Sequence, residues 1–332
     1  MDRPGALAEL RAAVTRFAGE HTPRDPGWCV ALSGGPDSLA LTAAAAALRP
    51  TTALIVDHQL QQDSAEVART AQAQALTVGC VAARILRVEV GAVGGPEAAA
   101  RSARYAALDE ARAGAAVLLA HTLDDQAETV LLGLGRGSGP RSIAGMRSYD
   151  PPWGRPLLGV RRAVTAAACA ELQLTPWSDP HNTDARFTRV RLRTEVLPLL
   201  EDVLGGGVAE ALARTADALR ADGEVLDVLA AQVLDLARRA DGLAVAELTE
   251  VAPAVRRRVL RAWLLAGGAR GLTDRHIRGV EALVSAWHGQ GGVAVPGSRP
   301  GHRLFARREA GMLTLHIEPV RRTASAGPQL PG

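Results

Sequence analysis

Through roughly the first two hundred residues, short apolar runs alternate with stretches of helical pattern, and this alternation restricts the fold more than any other feature. Strands are predicted at Trp28–Ser33, Thr52–Val56, Val81–Val88 and Val117–His121. Helices are predicted at Ser38–Leu48, Ser64–Val78, Pro96–Arg112, Asp124–Leu132 and Arg162–Leu172. Strands rejoined through helices lie parallel and are covered on both faces. The expected fold is α/β, a doubly wound parallel sheet. In such sheets ligands sit beyond the carboxyl ends of the strands, so the loops that follow strands are where chemistry is sought.

The loop after the first strand is Ser33-Gly34-Gly35-Pro36-Asp37-Ser38. A glycine-rich turn opening a helix gathers backbone N–H groups at the positive end of the helix dipole and suits an anion. The common phosphate loop closes on a lysine. Here there is none: all 38 basic residues are arginine. That excludes a Walker A loop, a Schiff-base lysine and a lysine nucleophile. Phosphate can still be gripped by amides and by guanidinium forks, which stay charged at every working pH.

The other strand ends carry Asp57-His58 and "HTLDDQAET", His121 to Thr129. Thr122 reads as an N-cap with Asp125 at the third helical position, a capping-box arrangement. Glu128 lies four residues beyond Asp124 and three beyond Asp125, so all three carboxylates can share one helix face. Three like charges together need a cation. Arg101 and Arg104 are spaced i and i+3 on one helix and point the same way.

Together these motifs resemble the PP-loop ATP pyrophosphatases, whose signature is S-G-G-x-D-S. "VDHQL", "EAAARSARYAAL", "HTLDDQAETVLLGLGRGSG", "RPLL" and "DPHNTDARFTRVRLRTEVLPLL" follow in the order found in tRNA(Ile)-lysidine synthetases. The likeness covers residues 28–200 and continues more weakly through "RRRVLRAWL", "LTDRHIRGV" and "GQGGVAVPG". Longer members carry a further C-terminal module that this sequence is expected to lack.

The resemblance implies cleavage of ATP between its α and β phosphates and transfer of AMP to a cytidine of the isoleucine tRNA with a CAU anticodon. Free L-lysine, through its ε-amine, then attacks the activated C2. The expected ATP-binding residues are Ser33, Gly34, Gly35, Pro36, Asp37, Ser38, Asp57, His58, Arg101 and His121. Asp37, Arg104, Asp124, Asp125 and Glu128 are the expected catalytic set. Asp37 and Asp124 are assigned to Mg²⁺, since an acid in a phosphate loop repels phosphate unless a metal lies between. Asp125 and Glu128 are assigned to lysine, which they would orient and deprotonate. Gln59 and Gln61 stand where the family carries Gly and Arg, and Val190 where many members carry Asn, so contacts of those side chains are not carried over.

Charge organises the rest. Net charge is only +3, yet ten arginines face four acids from Arg136 to Arg193, and thirteen face four from Val251 onward. Two basic blocks of this kind suit nucleic acid. Arg186, Arg189, Arg191, Arg193, Arg256, Arg257 and Arg258 are the expected tRNA contacts. A break at Gly205-Gly206-Gly207 suggests a catalytic domain over 1–204, a mainly helical tRNA-binding domain over 205–320 and a disordered tail over 321–332. Helices are expected at Val208–Arg239, Ala252–Ala266 and Asp274–Trp287. Cys29, Cys80 and Cys169 form no C-x-x-C, which argues for a reducing, cytoplasmic setting and against a metal cluster. Two other readings fit less well. A PP-loop tRNA thiolase typically needs paired cysteines or an iron–sulfur cluster, and a non-catalytic tRNA-binding or nucleotide-sensing module needs no carboxylate trio.

Overall fold

The computed structural model describes residues 5–59, 63–91, 95–137, 139–179, 184–297 and 302–319. Gln61 and the tail expected over 321–332 lie outside them. The chain divides into two compact units, one comprising 1–136 and 143–217, the other 137–142 and 218–332.

The first unit opens with α1 (Ala6–His21) and β1 (Trp28–Ala31), followed by α2 (Pro36–Ala46), β2 (Thr51–Asp57) and α3 (Ser64–Thr77). Next come β3 (Ala82–Arg87), α4 (Pro96–Ala111), β4 (Val117–Leu118) and α5 (Leu123–Gly135). The short α6 (Pro140–Ile143) falls almost wholly in the second unit; back in the first, β5 (Tyr149–Asp150) and β6 (Trp153–Gly154) form a tight hairpin, and α7 (Arg162–Glu171) follows. The strands run in the order β3-β2-β1-β4-β6-β5. All neighbours are parallel except β5 with β6.

Side chains alternate along β1. Trp28 and Val30 join a cluster with α1, α2 and α7, whereas Cys29 and Ala31 pack toward Leu108 and Ala111 of α4. Both faces are therefore buried, as a parallel sheet requires. Gly154 shows how tightly the layers meet: a Cβ there would lie 2.4 Å from Phe17 Cζ. The chain turns from building outward on one side of β1 to the other between β3 and β4. That switch point opens a crevice at the carboxyl ends of β1 and β4.

Beyond α7 the first unit continues through α8 (Thr188–Arg191), a π-helical turn (Leu192–Val196) and α9 (Leu197–Val203). The long α10 (Val208–Ala237) begins here. Its Ala209 and Ala213 pack on Leu123, Ala127 and Leu197. In the second unit α10 is followed by β7 (Arg238–Arg239), β8 (Gly242–Ala244), α11 (Ala246–Thr249), α12 (Pro253–Ala266) and α13 (Asp274–Ser285). The strands β9 (Val293–Val295), β10 (His302–Glu309) and β11 (Met312–Pro319) complete it. The three long helices lie where the sequence places them. They are joined by a five-stranded antiparallel sheet, β7-β8-β11-β10-β9.

Candidate active site

The loop between β1 and α2 takes its shape from two glycines. Gly34 has φ +85°, a left-handed conformation that costs glycine nothing. Gly35 is the N-cap of α2, and Pro36 sits at the first helical position, where its missing N–H is no loss. The remaining first-turn N–H groups have no intrahelical acceptor and are open to an anion. Ser38 turns inward: its Oγ accepts from Ser33 N–H at 3.2 Å and donates to Gly35 O at 3.0 Å. The loop is strapped from outside by Trp177, whose N–H donates to Gly34 O at 2.9 Å.

Beside the loop lies a cavity of about 300 Å³, at the small end of ligand sites. Leu54, Val56 and Leu108 form its apolar wall, and Asp57, His58, Arg104 and Trp177 edge it. Asp57 is 4% exposed and accepts the N–H of Gln59 at 2.9 Å. Gln59 has φ +56°, so the position that carries glycine in the resembling family keeps its left-handed backbone here at some cost in strain. Burial, and then Arg104, hold the His58 imidazole below its ordinary pKa. Burial also pulls the Arg104 guanidinium down. Nε of Arg104 and Nδ1 of His58 are buried without a protein partner. Arg101 and Arg104 both lie over the Tyr105 ring, at 5.0 and 5.7 Å, and Arg104 is the one that lines the cavity. His121 follows β4, and burial lowers its pKa to about 4.

The carboxylates gather at the N-termini of α2, α5 and α7. Thr122 and Asp125 form the capping box that their spacing predicts. Thr122 N–H and Oγ1 both donate to Asp125 Oδ2 at 2.8 Å. The cations that three like charges require come from the protein itself. Arg162 Nη2 is 2.6 Å from Asp125 Oδ1, its Nε is 3.3 Å from Asp37 Oδ2, and its Nη1 is 3.5 Å from Glu128 Oε1. Its backbone N–H donates to Asp124 Oδ2 at 2.7 Å. Arg161 Nη2 lies 3.3 Å from the other Asp124 oxygen. Glu128, with no exposed side-chain surface, is gripped by Arg193 at 2.8 and 3.3 Å and approached by Arg189 at 3.8 Å.

These contacts set the protonation states. Burial works against the Asp125 carboxylate, but Arg162 and the Thr122 donors outweigh it and hold the pKa below the usual value. At Asp37 burial prevails over Thr165 and Arg162, and the pKa is raised. Thr165 Oγ1 also donates to Asp37.

Sequence reasoning overlooked Arg161, Arg162, Thr165 and Trp177. Two consecutive arginines opening a helix were a readable signal, because cations at that end oppose the dipole unless acids meet them. The tRNA set changes more. Arg189 and Arg193 turn to Glu128, Arg191 pairs with Glu195 at 2.9 Å, and Arg186 pairs with Asp184 at 2.7 Å. Arg256 is 7% exposed, bonded to Glu281 and to the carbonyls of Leu248, Thr249 and Val251. That burial counts against its assignment to RNA: the Arg256 side chain is spent on holding α12 against its neighbours. Arg257 shares Glu281 at 2.6 Å, and Arg258 pairs with Asp227 at 2.9 Å.

A phosphate loop at the switch point of a doubly wound sheet, with a nucleoside-sized cavity and a carboxylate cluster beside it, defines a PP-loop nucleotide-dependent enzyme. Comparison with known proteins agrees. Residues 8–200 match a PP-loop domain model, and residues 243–314 match the TilS substrate binding domain. The tRNA(Ile)-lysidine synthase of Mycolicibacterium paratuberculosis is 70% identical over 97% of this chain and 100% of its own length. That of Mycobacterium tuberculosis is 68% identical over 96% and 100%. The U34-tRNA thiolase NcsA of Methanococcus maripaludis shares the fold, with a TM-score of 0.52 at 17% identity over 64% of this chain and 79% of that one. The chain belongs to the tRNA(Ile)-lysidine synthase family.

Proposed function

We infer that the chain carries out its family's reaction, the ATP-dependent formation of lysidine on tRNA(Ile), with the adenosine in the β1–β2 cavity and the lysine ammonium at Asp125 and Glu128. The observation that carries this arrangement is the reach of Arg162. One guanidinium touches Asp37 of the phosphate loop as well as Asp125 and Glu128 of α5, so the triphosphate site and the amine site are neighbours.

The chemistry has two steps. The cytidine O2 attacks the α-phosphorus and pyrophosphate leaves; the lysine ε-nitrogen then attacks C2, and AMP leaves with the oxygen. The loop amides and the α2 N-terminus support charge on the phosphates. Asp125, held ionised and oriented by its cap, suits gripping an ammonium better than taking its proton. Mg²⁺ fits at Asp37, whose Oδ2 is met among the described residues only by Arg162, at 3.3 Å. Asp124 has both oxygens committed to Arg161 and Arg162, so it would have to give up a partner to join. Among the described residues no group of three His, Cys, Asp or Glu side chains is arranged to hold a metal ion by itself; Mg²⁺ would be held by one or two carboxylates together with substrate phosphates. When bound there, Mg²⁺ supplies neutralisation of phosphate charge.

The thiolase reading fares poorly on the cysteines. All three are buried, with the thiols of Cys80 and Cys169 pushed up to about 11. The test is pyrophosphate release from ATP with tRNA and lysine supplied separately and together. Full turnover is expected only with both; equal turnover without lysine would leave adenylation standing and remove the lysine assignment.

A further inference from the structure

Four carboxylates meet at the crevice, and four arginines meet them. Asp37, Asp124, Asp125 and Glu128 face Arg161, Arg162, Arg189 and Arg193 within 4 Å. The four arginines offset these four acids in formal charge and so blunt the pull that the acids alone would exert on an incoming ammonium; Glu201 and Glu210 lie beyond them, at Arg161. The arginines are not equivalent. Arg193 reaches Glu128 with two nitrogens and Asp125 only at 3.5 Å. Arg189 is half-exposed and distant, and Arg161 is shared with Glu201 and Glu210. Arg162 alone touches all four acids, and its contact to Asp125 is the shortest of the cation contacts in the cluster.

Its placement is expensive. Arg162 is the first residue of α7, where the dipole disfavours a cation, and its side chain is only 23% exposed. The acids offset both penalties by contact, at 2.6 Å from Asp125, 3.3 Å from Asp37 and 3.5 Å from Glu128. A guanidinium kept in such a place holds the carboxylates at fixed separations by its planar fork. It also occupies Asp125 Oδ1, the one oxygen of that group that the capping box leaves open.

We propose that Arg162 is the positioning residue of this site, an internal cation whose guanidinium holds Asp37, Asp125 and Glu128 in register and with which the amine substrate must compete at Asp125. This rests on the reading that lysine binds at Asp125 and Glu128. Arg162 thereby acts on specificity as well. A cation brought to Asp125 by diffusion alone gains little by replacing one already there, whereas a ligand anchored elsewhere by its own contacts can displace Nη2. Without Arg162 the cluster carries a net negative charge, which binds cations more readily and arranges them less well.

The test uses the full-length chain, with L-lysine as the probe in calorimetry and kcat measured under saturating substrates. Arg162→Ala should bind lysine about threefold more tightly, the effect of one partly screened charge, while kcat falls about 10²-fold through lost positioning. Added guanidinium should weaken lysine binding by the variant and restore part of its kcat, an opposite pair of effects that a structural prop does not produce. Arg162→Lys keeps the charge without the fork; its lysine affinity should match the parent while kcat stays low, and this variant decides the matter if the alanine variant does not fold. Weaker lysine binding by Arg162→Ala, no response to guanidinium, or a lysine variant with parental kcat would each overturn the proposal. Asp125→Asn separates the two claims. Unchanged lysine affinity in that variant would refute the lysine site itself, whereas weakened affinity there with no tightening in Arg162→Ala would refute only the role of Arg162.

Discussion

At Asp37 stability and function oppose each other. Burial raises its pKa, so the folded state holds the proton more strongly than the unfolded chain, and stability declines as pH rises from the unfolded value of 3.8 through the folded one. At neutral pH the ionised side chain is a cost that removal relieves. Asp37→Ala should therefore keep or raise the thermal midpoint while pyrophosphate release falls at least about 10²-fold, the scale of a lost transition-state contact. A tenth of normal turnover in that variant would mark Asp37 as a structural cap. His121 runs the other way. Its folded pKa is lowered to about 4 from 6.5; above pH 6.5 the folded and unfolded chains are both neutral there. As pH falls from 6.5 to about 4 the unfolded chain takes up the proton first, and stability is lost, on the order of 3 kcal/mol in all. Urea midpoints across that range should slope for the parent and flatten for His121→Gln; parallel slopes would place the proton uptake elsewhere.

Among the elements, the N-terminus of α5 has two duties. Its capping box closes the helix and aims Asp125 into the cluster. Thr122→Ala should cost about 1 kcal/mol of stability and, more tellingly, raise the lysine KM, since Asp125 loses one of the donors that hold it; a stability loss with unchanged KM would reduce the box to a cap. This end of α5 was legible from the sequence because a capping box is local, written within four residues. The parallel strands of the sheet's first half were legible for a similar reason: β2 carries the unbroken apolar run Ala53–Val56. What escaped was non-local. β5 and β6 are two residues each, too short for any period, and exist because β4 offers an edge. The sequence reading also left Ala6–His21 unassigned, although Leu10, Ala13, Val14, Phe17 and Ala18 recur at helical spacing. The acid cluster was foreseen and its arginines were not, because Asp125 and Arg162 lie 37 residues apart; charge spacing within one helix says nothing about the next.

Across the whole molecule, counting arginines overstates the RNA-binding surface. Of the thirteen after Val251, Arg256, Arg257, Arg258, Arg278 and Arg307 pair with acids, and Arg270 and Arg308 bond to carbonyls. Arg275 and Arg303 are exposed. The first unit also ends later than Gly205, because Ala209 and Ala213 pack on α5 and Glu210 pairs with Arg161. A chain ending at Asp217 should bind ATP as the full chain does and bind tRNA more weakly. Its logarithmic salt slope should be shallower by only about 2–3 units, the loss of a few phosphate contacts. Filter binding at two salt concentrations measures both, and equal affinity and slope would make the second unit a scaffold.

One crevice is proposed to adenylate a tRNA cytidine and to present lysine to it through Asp125 and Glu128. Nucleoside mass spectrometry of tRNA(Ile) with a CAU anticodon tests it most directly, after incubation with the chain, ATP, Mg²⁺ and one amino acid at a time. Lysine should yield lysidine at the wobble cytidine. Ornithine, whose ammonium falls about 1.3 Å short of the carboxylates, and arginine, whose fork is longer and wider, should yield little product. Ornithine or arginine incorporated as efficiently as lysine, or lysidine formed at the parental rate by Asp125→Asn, would contradict the account.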